Sequence, residues 1–93
     1  MIMFSIEFTN QYLKDLRLAR KRKFNEEKLN EVIKILLSGK KLPSHYRNHR
    51  LTGQYKNLFD CHISPDWLLI YSRNKSLKLI KLIRTGTHSD LFI

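Results

Sequence analysis

The sequence predicts one α+β domain with elements in the order β-α-α-β-β-β, a helical hairpin packed on a small, mainly antiparallel sheet. Three observations carry this reading. An alternating apolar–polar segment opens the chain, and two segments with apolar residues at helical spacing follow it. Three short strand-like segments separated by turn residues then fill the second half. A chain of 93 residues has room for one modest core, since it buries roughly 60–65% of its unfolded surface. Residues 1–93 are therefore expected to form a single domain.

The elements follow in order. Phe4-Ser5-Ile6-Glu7-Phe8 alternates as a half-buried strand does. Thr9 or Asn10 then serves as a helix cap. Tyr12, Leu13, Leu16 and Ala19 recur at helical spacing, so Lys14, Asp15, Arg17 and Lys21 are expected to face solvent. The cations Arg20-Lys21-Arg22-Lys23 complement the negative end of that helix. Asn25 caps a second helix, with Glu26 and Glu27 in its first turn and Phe24 and Leu29 at the positions of a hydrophobic staple. Leu29, Val32, Ile33, Leu36 and Leu37 form its buried stripe, and Gly39 supplies the stop.

Residues 40–57 change character: Pro43 and Gly53 argue for loop, and basic residues interleave with His45, Tyr46, His49 and Tyr55. Strands are expected over residues 58–64, 67–72 and 77–84, joined by turns at Pro65-Asp66 and at residues 73–76. Leu68-Leu69-Ile70 is apolar on both parities, as in a central strand covered on both faces. In the strand before it, Phe59, Cys61 and Ile63 share one face, and Asp60, His62 and Ser64 share the other.

Charge narrows the function. Eighteen Lys and Arg face eight Asp and Glu, a net +10, which suits a polyanionic partner. No acid occurs from Val32 to Phe59 or from Trp67 to Ser89, so Asp60 and Asp66 stand alone between two basic stretches. The lone Cys61 forms no disulfide framework and fits a reducing compartment. No apolar run is long enough to span a bilayer, and the opening residues do not read as a signal peptide, so a soluble, cytoplasmic protein is expected.

Several chemistries are weakly supported. His49, His62, His88, Cys61 and Asp66 are capable metal ligands, but none falls in a close-spaced ligand pattern, so neither a metal nor another cofactor is expected. Ser64 and Ser89 lack a nucleophile elbow. Metal-free acid–base cleavage of RNA remains, because imidazoles titrate near neutral pH and cations stabilise the charge on the phosphorane-like transition state. His49, His62 and His88 offer proton transfer, Asp66 accepts or orients, and Arg84 supplies charge.

The segments HRLTGQYKNLFDCHISPDWLLIY and RTGTHSDLF, with L-P-x-x-Y-x-x-H-x-L-x-G before them, resemble the YafQ branch of the RelE-type bacterial toxins across nearly the whole chain. The resemblance implies a RelE-like fold and a ribosome-dependent mRNA endonuclease from a toxin–antitoxin pair. It implies His49, His62, Asp66 and His88 as the catalytic group, with Arg84 on the scissile phosphate and Phe92 positioning the nucleotide or His88. His88 is then the general acid, His62 and Asp66 activate or orient the 2′-hydroxyl, and His49 stabilises phosphate or shares proton transfer. Trp67 is a candidate for base stacking, although an aromatic opening a buried strand is as often core. Arg47, Arg50 and Lys56, with Lys40, Lys41 and residues 20–23, are candidates for RNA contact. The implied partners are a cognate antitoxin, mRNA on the ribosome with its rRNA, and operator DNA through the antitoxin complex. Two rivals share the charge: a ParE-like toxin that acts on DNA gyrase without nuclease activity, and a non-catalytic basic nucleic-acid-binding module. Asp60 either orients a histidine or pairs with a neighbouring cation.

Overall fold

A computed structural model describes residues 3–92. Its elements run β1 (Ser5–Phe8), α1 (Asn10–Lys21), α2 (Glu26–Leu37), β2 (His49–Arg50), β3 (Phe59–Ser64), β4 (Trp67–Asn74), β5 (Leu79–Gly86) and α3 (His88–Leu91). The strands form one five-stranded sheet in the order β1-β5-β4-β3-β2. β1 runs parallel to β5, and the other pairings are antiparallel. The expected α+β architecture with a mainly antiparallel sheet is the one observed.

Both predicted helix starts are made by the expected side chains. Thr9 Oγ1 accepts the Tyr12 N–H at 2.9 Å, and Asn25 Oδ1 accepts the Glu27 N–H at 3.1 Å. The stop after α2 is Gly39 at φ +78°, where a Cβ would also press on Met3 at 3.2 Å and the Phe4 ring at 3.3 Å. Each condition favours glycine there.

The helices cover one face of the sheet. Tyr12 and Ala19 of α1 and Leu29, Val32 and Leu36 of α2 pack with Cys61, Ile63, Trp67, Leu69, Tyr71, Ile80 and Leu82. The opposite face carries a smaller cluster, where Leu68 and Ile70 are covered by Leu91 of α3 and by Leu51, Tyr55, Leu58 and Ile83. This is why Leu68-Leu69-Ile70 reads as apolar on both parities: all three are fully buried. The described helices include none long and apolar enough to cross a membrane.

Five features depart from the sequence expectation. The basic loop contains the two-residue β2, which extends the sheet beyond β3, and the chain closes with the one-turn α3. The second hairpin turn lies two residues later than expected, because Asn74 Oδ1 accepts the Leu77 N–H at 2.9 Å and Lys78 takes the left-handed φ of 54°. β1 is an exposed edge, with Ile6 and Phe8 38% and 50% accessible, so its alternation does not mark a buried face.

The fifth is Asp15, expected on the outer face of α1 and found 8% accessible. β1 ends at Phe8 while β5 runs on to Gly86, so the far half of β5 lacks a neighbouring strand on that side. α1 fills the gap with side chains. Thr9 Oγ1 donates to the Ile83 carbonyl at 2.7 Å, and Asp15 Oδ2 accepts the Thr85 N–H at 3.1 Å. Asp15 also receives both arms of the Arg84 guanidinium, at 3.0 and 2.9 Å. A buried backbone donor needs an acceptor, and here a carboxylate substitutes for a strand.

Candidate active site

The pairing of β2 with β3 sets His49 directly across from Asp60. Paired residues share a sheet face and alternate residues along a strand return to it, so His49, Asp60 and His62 lie on one face. His49 is diagonal to His62, a separation of roughly 7–8 Å for such neighbours. The turn at Pro65-Asp66 then brings a second carboxylate to the same end of the sheet. β5 ends there too, and α3 begins at once with His88.

His88 is held at two points. Its backbone N–H donates to Asp66 Oδ1 at 3.0 Å, and its Nδ1 lies 2.6 Å from the same oxygen. These two bonds from His88 hold the Asp66 carboxyl below the usual carboxylate range. An ionised Asp66 requires Nδ1 to carry the proton, so Nε2 is the nitrogen available for chemistry. The His62 and His88 rings meet edge-on, with centroids 5.4 Å apart. Both border an open cleft of about 530 Å³, with Lys28, His45, Tyr46, Arg47, Ile63, Ser64 and Pro65 around it.

His49 and Asp60 make a looser pair. His49 Nδ1 lies 3.1 Å from Asp60 Oδ1 but also 2.9 Å from the Arg47 carbonyl. The ring N–H is aimed at the carbonyl, so Asp60 Oδ1 is close to the imidazole yet receives no hydrogen bond and is fully enclosed. Burial pushes the Asp60 carboxyl above its usual range, against the pull of His49, His62 and His88, whose fields all reach it. The question left open by the sequence thus has a geometric answer: Asp60 is a buried acid beneath the histidine cluster.

An acid raised by burial binds its proton more tightly folded than unfolded. It therefore lowers stability as pH rises above the ordinary carboxylate pKa of about 4. Asp60→Asn is accordingly expected to raise the melting temperature at pH 7 to 8, by roughly 4–8 °C for each kcal/mol of relieved desolvation in a domain this size. The gain should shrink as pH falls toward and below about 4, where the unfolded carboxyl also takes up its proton. Thermal denaturation of both proteins across pH 4–8 checks this.

The other expected site residues divide. Arg47 borders the cleft, held at a left-handed φ of 49°. Arg84 follows Ile70 and Asp60 across the strand register, but its guanidinium is bound to Asp15. Phe92 is 41% accessible and packs edge-on to Tyr55, with ring centroids 5.6 Å apart. Lys56 is exposed at the end of the loop turn Gly53–Tyr55. One expectation is corrected. Trp67 is 2% accessible and packs at a tilt against Phe24, with ring centroids 5.0 Å apart, so it offers no face to a base. Arg50, next to His49 on the strand, points to the opposite face and lies over the Phe59 ring at 5.4 Å. The basic run is also partly committed, since Arg20 is bound to Glu26 at 2.8 Å and Arg22 to Asp90 at 2.6 Å.

Sequence reasoning missed Asp15, which orients Arg84, and Tyr55, whose hydroxyl donates to the Leu91 carbonyl at 3.1 Å beside Phe92. It also left Lys28 and His45 out of the cleft. The helical period was the available signal for Asp15: it lies three residues after Tyr12 and four before Ala19, both buried. Among the described residues, no three His, Cys, Asp or Glu side chains converge as metal ligands.

With fold and site described, the comparisons identify the class. Residues 4–93 match the family described as "Bacterial toxin of type II toxin-antitoxin system, YafQ". The chain is 42% identical over 93 residues to the mRNA interferase toxin YafQ of Escherichia coli (strain K12), covering 99% of both chains. A crystal structure of a YafQ mutant from E. coli superposes with a TM-score of 0.91 at 40% identity, over 97% of this chain and 99% of that one. The toxin in the E. coli DinJ-YafQ toxin-antitoxin complex gives a TM-score of 0.89 at 41% identity, over 99% of this chain and 100% of that one. The fold is that of a bacterial toxin from a type II toxin–antitoxin system. The chain belongs to the YafQ family.

Proposed function

We propose that this chain is an mRNA interferase, a ribosome-dependent endoribonuclease that cuts RNA by acid–base catalysis at His88, Asp66, His62 and His49. The observation that carries the reading is the His88–Asp66 pair, which presents one free imidazole nitrogen 5.4 Å, ring to ring, from His62 across a basic cleft. Two imidazoles side by side on a cleft rimmed by cations suit a substrate that must lose one proton and gain another.

In this mechanism the 2′-hydroxyl of the nucleotide before the scissile bond attacks the adjacent phosphorus in line. His62, assisted by His49, takes the hydroxyl proton, and His88 Nε2 protonates the departing 5′-oxygen. Asp66 does not act on the hydroxyl itself. It fixes the His88 tautomer and stabilises the imidazolium, as an orienting carboxylate does for a catalytic histidine. Arg47 and Lys28, from the rim, offset the charge that gathers on the phosphorane. Arg84, fixed by Asp15, supplies a preoriented cation behind the site, and Phe92 with Tyr55 forms an aromatic edge for the neighbouring base. The product is a 2′,3′-cyclic phosphate.

The partners follow from the same reading. mRNA is presented by the ribosome, and free cations such as Lys21, Lys40, Lys41 and Lys56 contact rRNA phosphates, so binding weakens steeply with salt. A cognate antitoxin, as DinJ is to YafQ in the E. coli complex, holds the chain inactive, and the pair binds its own operator DNA. The protein acts in the cytoplasm.

The test is cleavage by the purified protein of mRNA programmed on ribosomes, read by primer extension with end-group analysis of the 5′ fragment. Cuts within ribosome-bound mRNA that leave a cyclic phosphate are the expected result. RNA binding without cleavage would instead support a non-catalytic module, and gyrase-dependent DNA breaks without RNA cleavage would support the ParE-like alternative.

A further inference from the structure

α3 has four residues, too short to hold its shape alone, yet His88 is its first. Asp90, two residues on, is bound more extensively than its place near a chain end requires. Its Oδ2 accepts the Thr87 N–H at 2.9 Å, while Thr87 Oγ1 accepts the Asp90 N–H at 3.2 Å, a closed capping box. The same carboxylate takes both arms of the Arg22 guanidinium, at 2.6 and 3.2 Å. Arg22 is itself fixed, since it caps α1 with its backbone N–H on the Leu18 and Arg20 carbonyls. The contact joins residues 68 positions apart. It is also closely fitted: a Cβ at Gly86 would come within 2.9 Å of Asp90 Cβ and Oδ2.

We propose that the Arg22–Asp90 ion pair is a positioning element for His88, anchoring its one-turn helix to the end of α1 and setting the charge felt by its imidazole. The proposal rests on the reading of His88 as the general acid. Charged and titratable groups reach His88 from every side. Asp66 comes from the β3–β4 turn, Asp60 and His62 from β3, Asp90 from its own helix and Arg22 from α1, while Arg47 and Lys28 lie across the cleft. Asp90 and Arg22 both exchange fields with Asp66, the partner of His88. Arg22 and Asp90 thus bring opposite charges to the surroundings of the Asp66–His88 pair, although breaking either contact loosens the helix in the same way.

That opposition gives the test. Wild type, Arg22→Gln and Asp90→Asn are compared by the pH dependence of ribosomal mRNA cleavage and by NMR titration of the His88 ring in the free protein. Removing the cation should move the alkaline limb and the ring midpoint to higher pH. Removing the carboxylate should move both to lower pH, each by a few tenths of a unit, as expected for partly exposed charges at this range. Both variants should lose about 3–10-fold in kcat at unchanged KM. Exposed ion pairs add little to global stability, so both should fold. Equal rate losses without opposed shifts, or no change in either readout, overturn the proposal. Absence of cleavage by wild type defeats the functional reading instead, and the NMR midpoints still decide the electrostatic half.

Discussion

Replacing His88 with alanine is expected to slow cleavage of ribosome-bound mRNA by about 10²–10⁴-fold, the range for loss of a positioned proton-transfer group. The fold should survive, because the ring is 54% accessible at the protein surface and its one polar partner, Asp66, is more exposed still. The loss should fall on kcat with KM nearly unchanged, since the group acts on the leaving oxygen and not on the bound ground state. The alkaline limb of the pH–rate profile should disappear with it. Primer extension on programmed ribosomes measures the rate, and circular dichroism confirms that the variant is folded. Asp66→Asn should keep the ring in place but remove its anionic partner, giving a smaller loss of about 10–100-fold. If His88→Ala cleaves as fast as wild type, the assignment of the acid is wrong.

Asp15→Ala is expected to lower stability by about 3–5 kcal/mol, the usual cost of removing one partner from a buried ion pair. Four donors lose their acceptor together: both arms of Arg84, the Thr85 N–H and the Gln11 side-chain amide. The Arg84 side chain is 27% accessible and regains some hydration, which sets the outcome at the lower end of that range. For a domain of this size a loss of 3 kcal/mol is a large part of a total of roughly 5–14 kcal/mol, a fall in melting temperature on the order of 20 °C. Asp15→Asn, which keeps an oxygen for the Thr85 N–H, should fall by about half as much. Urea unfolding of the three proteins gives the comparison, and equal midpoints for Asp15→Ala and wild type would show that the gap beside β5 is closed by something else.

The acid-free flanks around Asp60 and Asp66 are the clearest functional signal in the chain, and they bracket the strand and turn that supply His62, Ser64 and Pro65 to the cleft. His62 and Asp66 belong to a strand and its tight turn, local structures whose residues advertise themselves through alternation and Pro65-Asp66. His88 follows a strand end and a capping threonine, also local. Their convergence was available only through family resemblance, because nothing in spacing alone tells that residues 62, 66 and 88 meet. Trp67 and Arg50 show the limit from the other side. Each has a residue type suited to RNA, and each is turned away from the cleft by strand parity and packing that depend on which face the helices occupy.

Periodicity, caps and turn residues suffice for the two helices, the β3–β4 hairpin and the doubly covered central strand, since these depend on contacts between residues close in sequence or on the burial of whole apolar runs. Composition likewise suffices for the basic surface. Tertiary structure alone decides the rest: that β1 is an edge running parallel to β5, that it ends one helix short of the sheet's corner, and that Asp15 turns inward to fill the gap. It alone decides that Arg22 spends its charge on Asp90, and that Asp60 lies buried beneath the histidines. All but the last of these hang on a partner dozens of residues away, and the last on where the β2 and α3 histidines come to lie. A side chain's environment is fixed by which elements pack beside it, and the local pattern of a sequence carries no record of that neighbour.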